Sequence, residues 1–166
     1  MPVRVGVSGG SNIAPEANLP RAAAEIRRHF PDARFSACYR NKAIGFDGPD
    51  FINFAVEFTT DLSVGDVNAV LERIEAFCGR PPDAKRWEPR AMDLDILLYG
   101  DVIGVVLGVT LPRPSLLEWN FMLRPMAEIS PDWVHPSTGR TLAELWADFD
   151  ANANPLVPVA LDLAAA

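Results

Sequence analysis

Asp93 and Asp95 are separated by a single leucine inside the stretch RWEPRAMDLDILLYG at positions 86–100. In an extended stretch, residues two apart point the same way with backbones about 7 Å apart. Both carboxylates then meet one site, while Met92, Leu94, Ile96 and Leu98 face the opposite side. Two hard oxygen donors beside solvent suit Mg²⁺, which takes one or two protein carboxylates and completes its shell with water and phosphate oxygens. An isolated D-x-D is more often two ordinary acids on a solvated strand face. The neighbours point to chemistry instead: Arg80, Lys85, Arg86 and Arg90 stand just upstream, with Trp87 among them. Arginine forks matched to phosphate oxygens, beside a carboxylate-held metal, are the parts that phosphoryl transfer uses.

Such a pair needs a sheet behind it, and the chain supplies the elements in a definite order. Val3, Val5 and Val7 alternate with polar or small residues, predicting a first strand that runs into a glycine-rich turn at SGGSN. Leu19, Ala23, Ile26 and Phe30 then recur at helical spacing around Pro20, a residue acceptable near a helix start. ARFSACYR reads as a second strand and KAIGFDGPD as a loop. FINFAVEFT alternates cleanly, placing Ile52, Phe54, Val56 and Phe58 on one face and Phe51, Asn53, Ala55 and Glu57 on the other. Ser63 with Asp66 opens a second helix, whose stripe runs through Val67, Val70, Leu71, Ile74 and Phe77 and which Gly79 closes. A charged loop and the strand from Met92 to Tyr99 follow.

Beyond Gly100 the pattern is weaker: an extended VIGVVLGVTLP, short helical turns in SLLEWNFMLRPMAEI, a late helix in GRTLAELWADF and an irregular tail over 151–166. The order strand, helix, strand, strand, helix, strand predicts an α+β protein of the ferredoxin-like sandwich type. In it, two helices cover one face of a mainly antiparallel sheet and the other face is left for function. The whole of 1–166 reads as one domain.

A second constellation lies on the strand at 51–58. Phe51 and Asn53 share the face turned away from its apolar residues, an aromatic plane beside an amide with both a donor and an acceptor. Flat heteroaromatic ligands are recognised by that combination. The formal charge of −7 and the lack of a long basic run exclude nucleic acid and anionic membrane surfaces as partners. No stretch is apolar for the ~18 residues that a membrane span needs. Cys38 and Cys78 have no metal-like spacing, and no secretory leader is read at the start, so the expectation is a cytoplasmic protein with reduced, buried thiols. GGSN lacks the spacing and lysine of a P-loop and is expected to be a tight turn. His29, His135, Trp133 and Trp146 are expected to be structural.

RWEPRAMDLDILLYG resembles the R-W-G-P-R-x-x-D-L-D-I-x-L-x-G signature of the 6-hydroxymethyl-7,8-dihydropterin pyrophosphokinase family. The likeness continues through GGSN, GPDFIN, RIEAFCGR and TLPRPSLLEWNFMLRPMAEISP. The resemblance implies a ferredoxin-like fold, transfer of pyrophosphate from ATP as co-substrate to the pterin hydroxymethyl group with release of AMP, a role in folate biosynthesis, and participation of two Mg²⁺ ions in a monomer. By position it implies that Asp93 and Asp95 bind the metals, and that Arg80 and Arg90 contact phosphates or gate the loop. Trp87 would close over the site. Glu72, Glu75, Arg86, Ile96, Thr110 and Arg113 would lie around the nucleotide. Asn53 would hydrogen-bond the pterin, with Phe51 and Phe121 at its ring, Ile44 near its edge and Asp93 beside it.

Several residues depart from the family pattern. Glu88 replaces a glycine of the loop, and Pro82, Gly108 and Trp119 stand where relatives carry arginines or other residues. Arg113 stands where many have histidine, and Asn41 with Lys42 replaces a Thr-Pro pair. These departures keep a second reading open, a non-catalytic or weakened homologue that binds pterin or nucleotide as a sensor. A two-metal nuclease would also use paired carboxylates, but the acidic balance and the Phe51/Asn53 face fit it poorly.

Overall fold

The computed structural model describes residues 1–43, 48–79, 91–150 and 155–163. Its centre is an antiparallel sheet. Strand β1 (Val3–Ser11) lies between β4 (Phe51–Thr60) and β5 (Asp93–Tyr99). β3 (Cys38–Asn41) pairs with the outer side of β4, as does the short β2 (Arg34–Phe35), and β8 (Val157–Val159) closes the far edge. Between them run α1 (Pro15–His29) and α2 (Val64–Phe77). β6 (Gly104–Val106) and β7 (Val109–Leu111) form a separate hairpin, and a 3-10 turn at Pro114–Leu117 leads to α3 (Asn120–Ile129) and α4 (Leu142–Ala147). This is the ferredoxin-like α+β arrangement expected from the element order.

One face of the sheet is sealed by α1 and α2. Val5, Val7, Ile52, Phe54, Val56, Phe58, Leu94 and Ile96 meet Leu19, Ile26, Val67, Leu71 and Ile74 in one apolar cluster. Ser63 caps α2 as predicted, its Oγ accepting the Asp66 N–H at 3.1 Å, and Gly79 takes a φ of 97° just past the end. α1 begins earlier than the periodicity implied: Pro15 opens it, and Pro20 lies inside the helix.

The opposite face is not left bare, which corrects the simple sandwich expectation. α3 and α4 bring Leu123, Met126, Ala127 and Leu142 against Ala55, Leu97 and Leu98, with Trp133 beside them. Met126 and Trp133 sit over Gly6, where an added Cβ would lie 2.9 Å from the Met126 sulfur. This second layer covers only one end of the face. Along β4 the apolar cluster stops at Ala55, and Asn53 and Phe51 lie beyond it.

Three further expectations are corrected. The glycines of SGGSN do not form a turn: β1 continues through them to Ser11, paired with β4 along its whole length. Leu98 does not share a face with Leu94 and Ile96. The β1–β5 register slips by one residue, with Gly6 opposite Leu98 and Val7 opposite Ile96, so that Leu97 is an extra residue and both leucines turn toward α3. The described tail is irregular except at one place: Val157–Val159 pairs with β3, and Pro158 is tolerated because this is an edge strand. Among the described residues, no helix is long and apolar enough to cross a membrane.

Candidate active site

The register of β5, β1 and β4 builds the site. Gly10 of β1 is paired with Asp93 on one side and Asn53 on the other, and β3 extends the row with Tyr39 opposite Asn53. One residue pair along, Ser8 stands between Asp95 and Ala55. The pleat turns Asp93, Asp95, Gly10, Ser8, Asn53 and Phe51 to the same face, the one opposite α1 and α2. Strands lie 4.7–4.9 Å apart, so Asp93 and Asn53 stand about 10 Å from each other across Gly10.

Gly10 has a specific reason to be glycine, since a Cβ there would run into Asn53 Oδ1. The neighbouring Gly9 faces the core, where a Cβ would strike the Phe54 ring and approach Leu94 Cδ2 at 3.0 Å. Asn53 is buried, and its Nδ2 donates to Asn41 Oδ1, while Asn41 Nδ2 donates to the Lys42 carbonyl at 3.1 Å. Asn12, also buried, donates from Nδ2 to the Pro49 carbonyl at 3.1 Å and so ties the end of β1 to the approach of β4. Gly10, Asn12 and Asn41 were not among the expected site residues. The signal available for Gly10 and Asn12 was GGSN itself, read as a turn instead of as the floor of a groove.

The aspartates sit on an edge strand, and among the described residues Glu75 and Arg113 hold that edge. Glu75 of α2 is buried and accepts the Leu94 N–H at 2.8 Å, which fixes the backbone between the two acids from the core side. This explains a carboxylate at the rim of a helical stripe, a residue that in isolation reads as a solvated acid. Arg113 donates from its backbone N–H to the Leu97 carbonyl and from Nε to the Ile96 carbonyl, each at 2.9 Å. A terminal nitrogen of the same guanidinium is 3.6 Å from Asp95 Oδ1.

Other expected residues fall as follows. Ile96 is fully buried among the core side chains, so toward the site it offers its backbone only. Thr110 is exposed on β7 between the buried Val109 and Leu111. Glu72 is exposed on α2 and accepts from Asn68 Nδ2 at 3.0 Å. Phe121 stacks on Trp119, ring centroids 5.8 Å apart, at the start of α3. Ile44, Arg80, Arg86, Trp87 and Arg90, with Lys85, Pro82 and Glu88, lie outside the described residues. Trp133 and Trp146 pack against the second layer. His135 is buried and accepts from the Ser137 and Thr138 N–H groups through Nδ1, with burial lowering its pKa. Among the described residues no group of three or more His, Cys, Asp or Glu side chains is placed to cage a metal. Two carboxylates on an open face match the modest protein share of a Mg²⁺ shell that phosphate and water complete.

The fold has counterparts among solved structures. A Plasmodium falciparum HPPK-DHPS triple mutant crystallised with pteroate superposes with a TM-score of 0.70 at 10% identity, covering 89% of this chain. A second HPPK-DHPS, in complex with substrates, gives 0.66. This chain spans 43% of each of those solved chains. Residues 6–131 match the family model described as 7,8-dihydro-6-hydroxymethylpterin-pyrophosphokinase. Two curated relatives carry the name 2-amino-4-hydroxy-6-hydroxymethyldihydropteridine pyrophosphokinase. The one from Synechocystis sp. is 37% identical over 87% of this chain and 75% of its own length. The one from Pseudomonas aeruginosa is 35% identical over 87% of this chain and 90% of its own. The chain belongs to the 7,8-dihydro-6-hydroxymethylpterin-pyrophosphokinase family.

Proposed function

We propose that the groove floored by Gly10 and Ser8 is the catalytic site of a pterin pyrophosphokinase, with the phosphate side at Asp93 and Asp95 and the pterin side at Asn53 and Phe51. As a member of its family the chain transfers pyrophosphate from ATP, its co-substrate, to 6-hydroxymethyl-7,8-dihydropterin in folate biosynthesis. The observation that carries the site assignment is the register placing Asp93, Gly10 and Asn53 in one row across three strands. The row sets an acid for phosphate chemistry about 10 Å from an amide for ring recognition, with a side-chain-free residue between them.

Asn53 presents its amide to the ring edge while Asn41 fixes its orientation, and Phe51, with Phe121, gives the ring an aromatic surface. Ile44 and Trp87 complete that side. Asp93 and Asp95 would hold two Mg²⁺ ions, which would supply neutralisation of the phosphate charge and polarisation of the phosphoryl group. The pterin hydroxyl attacks the β-phosphorus and gives up its proton to solvent, the bond from that phosphorus to the α,β-bridging oxygen breaks, and AMP leaves with that oxygen. Arg80 and Arg90, with Arg86, offset the charge that grows on the departing α-phosphate. Arg113 and Thr110 flank the nucleotide from β7 and the segment after it, the Ile96 backbone and Glu72 border it from β5 and α2, and Glu75 acts from the core side by holding the Leu94 N–H. The chain acts as a cytoplasmic monomer, and its acidic balance supports small molecules as partners over nucleic acid or membrane.

The test is AMP formation from ATP, Mg²⁺ and the hydroxymethyl pterin. Asp95→Ala should lower kcat by two to three orders of magnitude, the scale for losing one group that stabilises transition-state charge, with an unchanged far-UV circular dichroism spectrum. Near-normal turnover in that variant overturns the assignment.

A further inference from the structure

Arg113 is not a free surface cation. Its backbone N–H and its Nε are both bonded to carbonyls of β5, at Leu97 and Ile96, so the guanidinium is clamped along the strand. From that clamp a terminal nitrogen reaches to 3.6 Å from Asp95 Oδ1, with the Arg113 and Asp95 side chains 29% and 28% exposed. A pair this sheltered is screened less than one in open solvent. Arg113 lies in the segment between β7 and the 3-10 turn, and the hairpin of β6 and β7 folds it back alongside β5.

A divalent ion arriving alone at Asp93 and Asp95 meets two negative charges that, among the described residues, the fixed charge of Arg113 partly offsets. The same ion arriving on a triphosphate brings excess negative charge, and the guanidinium then attracts the incoming complex. The sign of Arg113's effect therefore reverses with the company the metal keeps. The 3.6 Å separation is a charge contact and not a short bond, so its loss changes the local potential more than the orientation of Asp95.

We propose that Arg113 couples metal binding to nucleotide binding: it holds bare divalent ions off the aspartates and favours their entry as the metal–triphosphate complex. This rests on the assignment of Asp93 and Asp95 as metal ligands. Coupling of this kind is reciprocal, so the factor by which nucleotide tightens metal equals the factor by which metal tightens nucleotide. Arg113 acts here as a positioning and charge-setting residue.

The experiment measures Mn²⁺ binding to the full chain by the electron paramagnetic resonance of the free ion, alone and with α,β-methylene-ATP. Wild type, Arg113→Gln, Arg113→Lys and Asp95→Asn are compared. Arg113→Gln should bind Mn²⁺ alone about tenfold more tightly and the Mn²⁺–nucleotide complex about tenfold less tightly, within the usual span of coupling between sites. Arg113→Lys keeps the charge and should keep most of the coupling. If Arg113→Gln does not fold, judged by its melting curve, Arg113→Met takes its place. An unchanged coupling factor in the charge-removed variant, or equal weakening of both affinities, overturns the inference. Wild-type Mn²⁺ binding by Asp95→Asn overturns the metal assignment beneath it. Loss of binding there, together with unchanged coupling on removing the Arg113 charge, leaves the metal assignment standing and refutes only the role of Arg113.

Discussion

Replacing Gly10 by alanine tests the groove floor directly. The new Cβ would collide with Asn53 Oδ1, with Asn53 Cγ at 3.4 Å and the Ile52 carbonyl oxygen at 3.6 Å next in line. The struck atom is the tip of a side chain, so the amide swings away and the strands stay where they are. That movement costs about 0.5–1.5 kcal/mol for an off-rotamer side chain. Breaking the Asn53–Asn41 bond between two buried amides adds about 1–3 kcal/mol. A loss near 2–4 kcal/mol corresponds to a fall in Tm of roughly 5–15 °C for a chain of this size. Because the displaced amide is the one assigned to the pterin edge, kcat/KM for pterin should fall about ten- to a hundredfold while KM for ATP barely moves. The decisive measurement is a double-mutant cycle by urea unfolding. In an Asn53→Ala background the collision partner is gone, so Gly10→Ala should cost less than about 1 kcal/mol. Additive losses in the cycle would refute the proposed collision, and an unaltered pterin KM in Gly10→Ala would refute the placement of the ring over this floor.

Gly9→Ala should behave oppositely, because its Cβ meets the Phe54 ring and Leu94 in the packed core. Unfolding should be easier by about 1–3 kcal/mol, as for other overpacked cores, with substrate KM values preserved in the folded fraction. Glu75→Ala leaves the Leu94 N–H without its acceptor and should cost about 1–3 kcal/mol in urea unfolding. Glu57 supplies a pH dependence: burial pushes its pKa up, but hydrogen bonds from Arg4, Ser130 and Arg34 outweigh this and hold it below the usual carboxylate range. Its stabilising contribution is therefore present at neutral pH and lost as pH falls through the depressed value. Glu57→Gln should be less stable than wild type at pH 7, and the gap measured by chemical unfolding should close progressively in acid. Cys38, whose thiol is buried and pushed up to about 12 by burial first and by Asp162 and Glu128 next, should react with iodoacetamide only when the chain unfolds. Rapid labelling under native conditions would contradict its place in the core.

Periodicity alone exposed most of the framework. The alternation over Phe51–Phe58, the α2 cap with its buried stripe from Val67 to Ile74, and the D-x-D strand stand where local pattern put them, whereas Phe77, expected to end that stripe, is exposed at the last turn of α2. The glycines of β1 misled for a physical reason: isolated from their neighbours they signal a turn, yet here they make room for Phe54 and Asn53 on the adjacent strand. Asn41 could not be seen as a partner of Asn53 without the β3–β4 register. The clamp on Arg113 likewise joins segments whose contact no spacing rule encodes. Pro158 is a poor strand residue, and only the tail's place at the sheet edge makes it acceptable.

The extra residue at Leu97 carries a consequence for anyone transplanting this strand into another scaffold. Upstream of it the acids look out from the sheet, and downstream of it Leu98 looks the same way as its predecessor into α3. A regular β-strand of the same composition would turn Leu98 to the side of Leu94 and Ile96 and leave α3 with one leucine of the pair. Keeping both leucines under α3 while the acids stay open therefore means carrying the kink along with them.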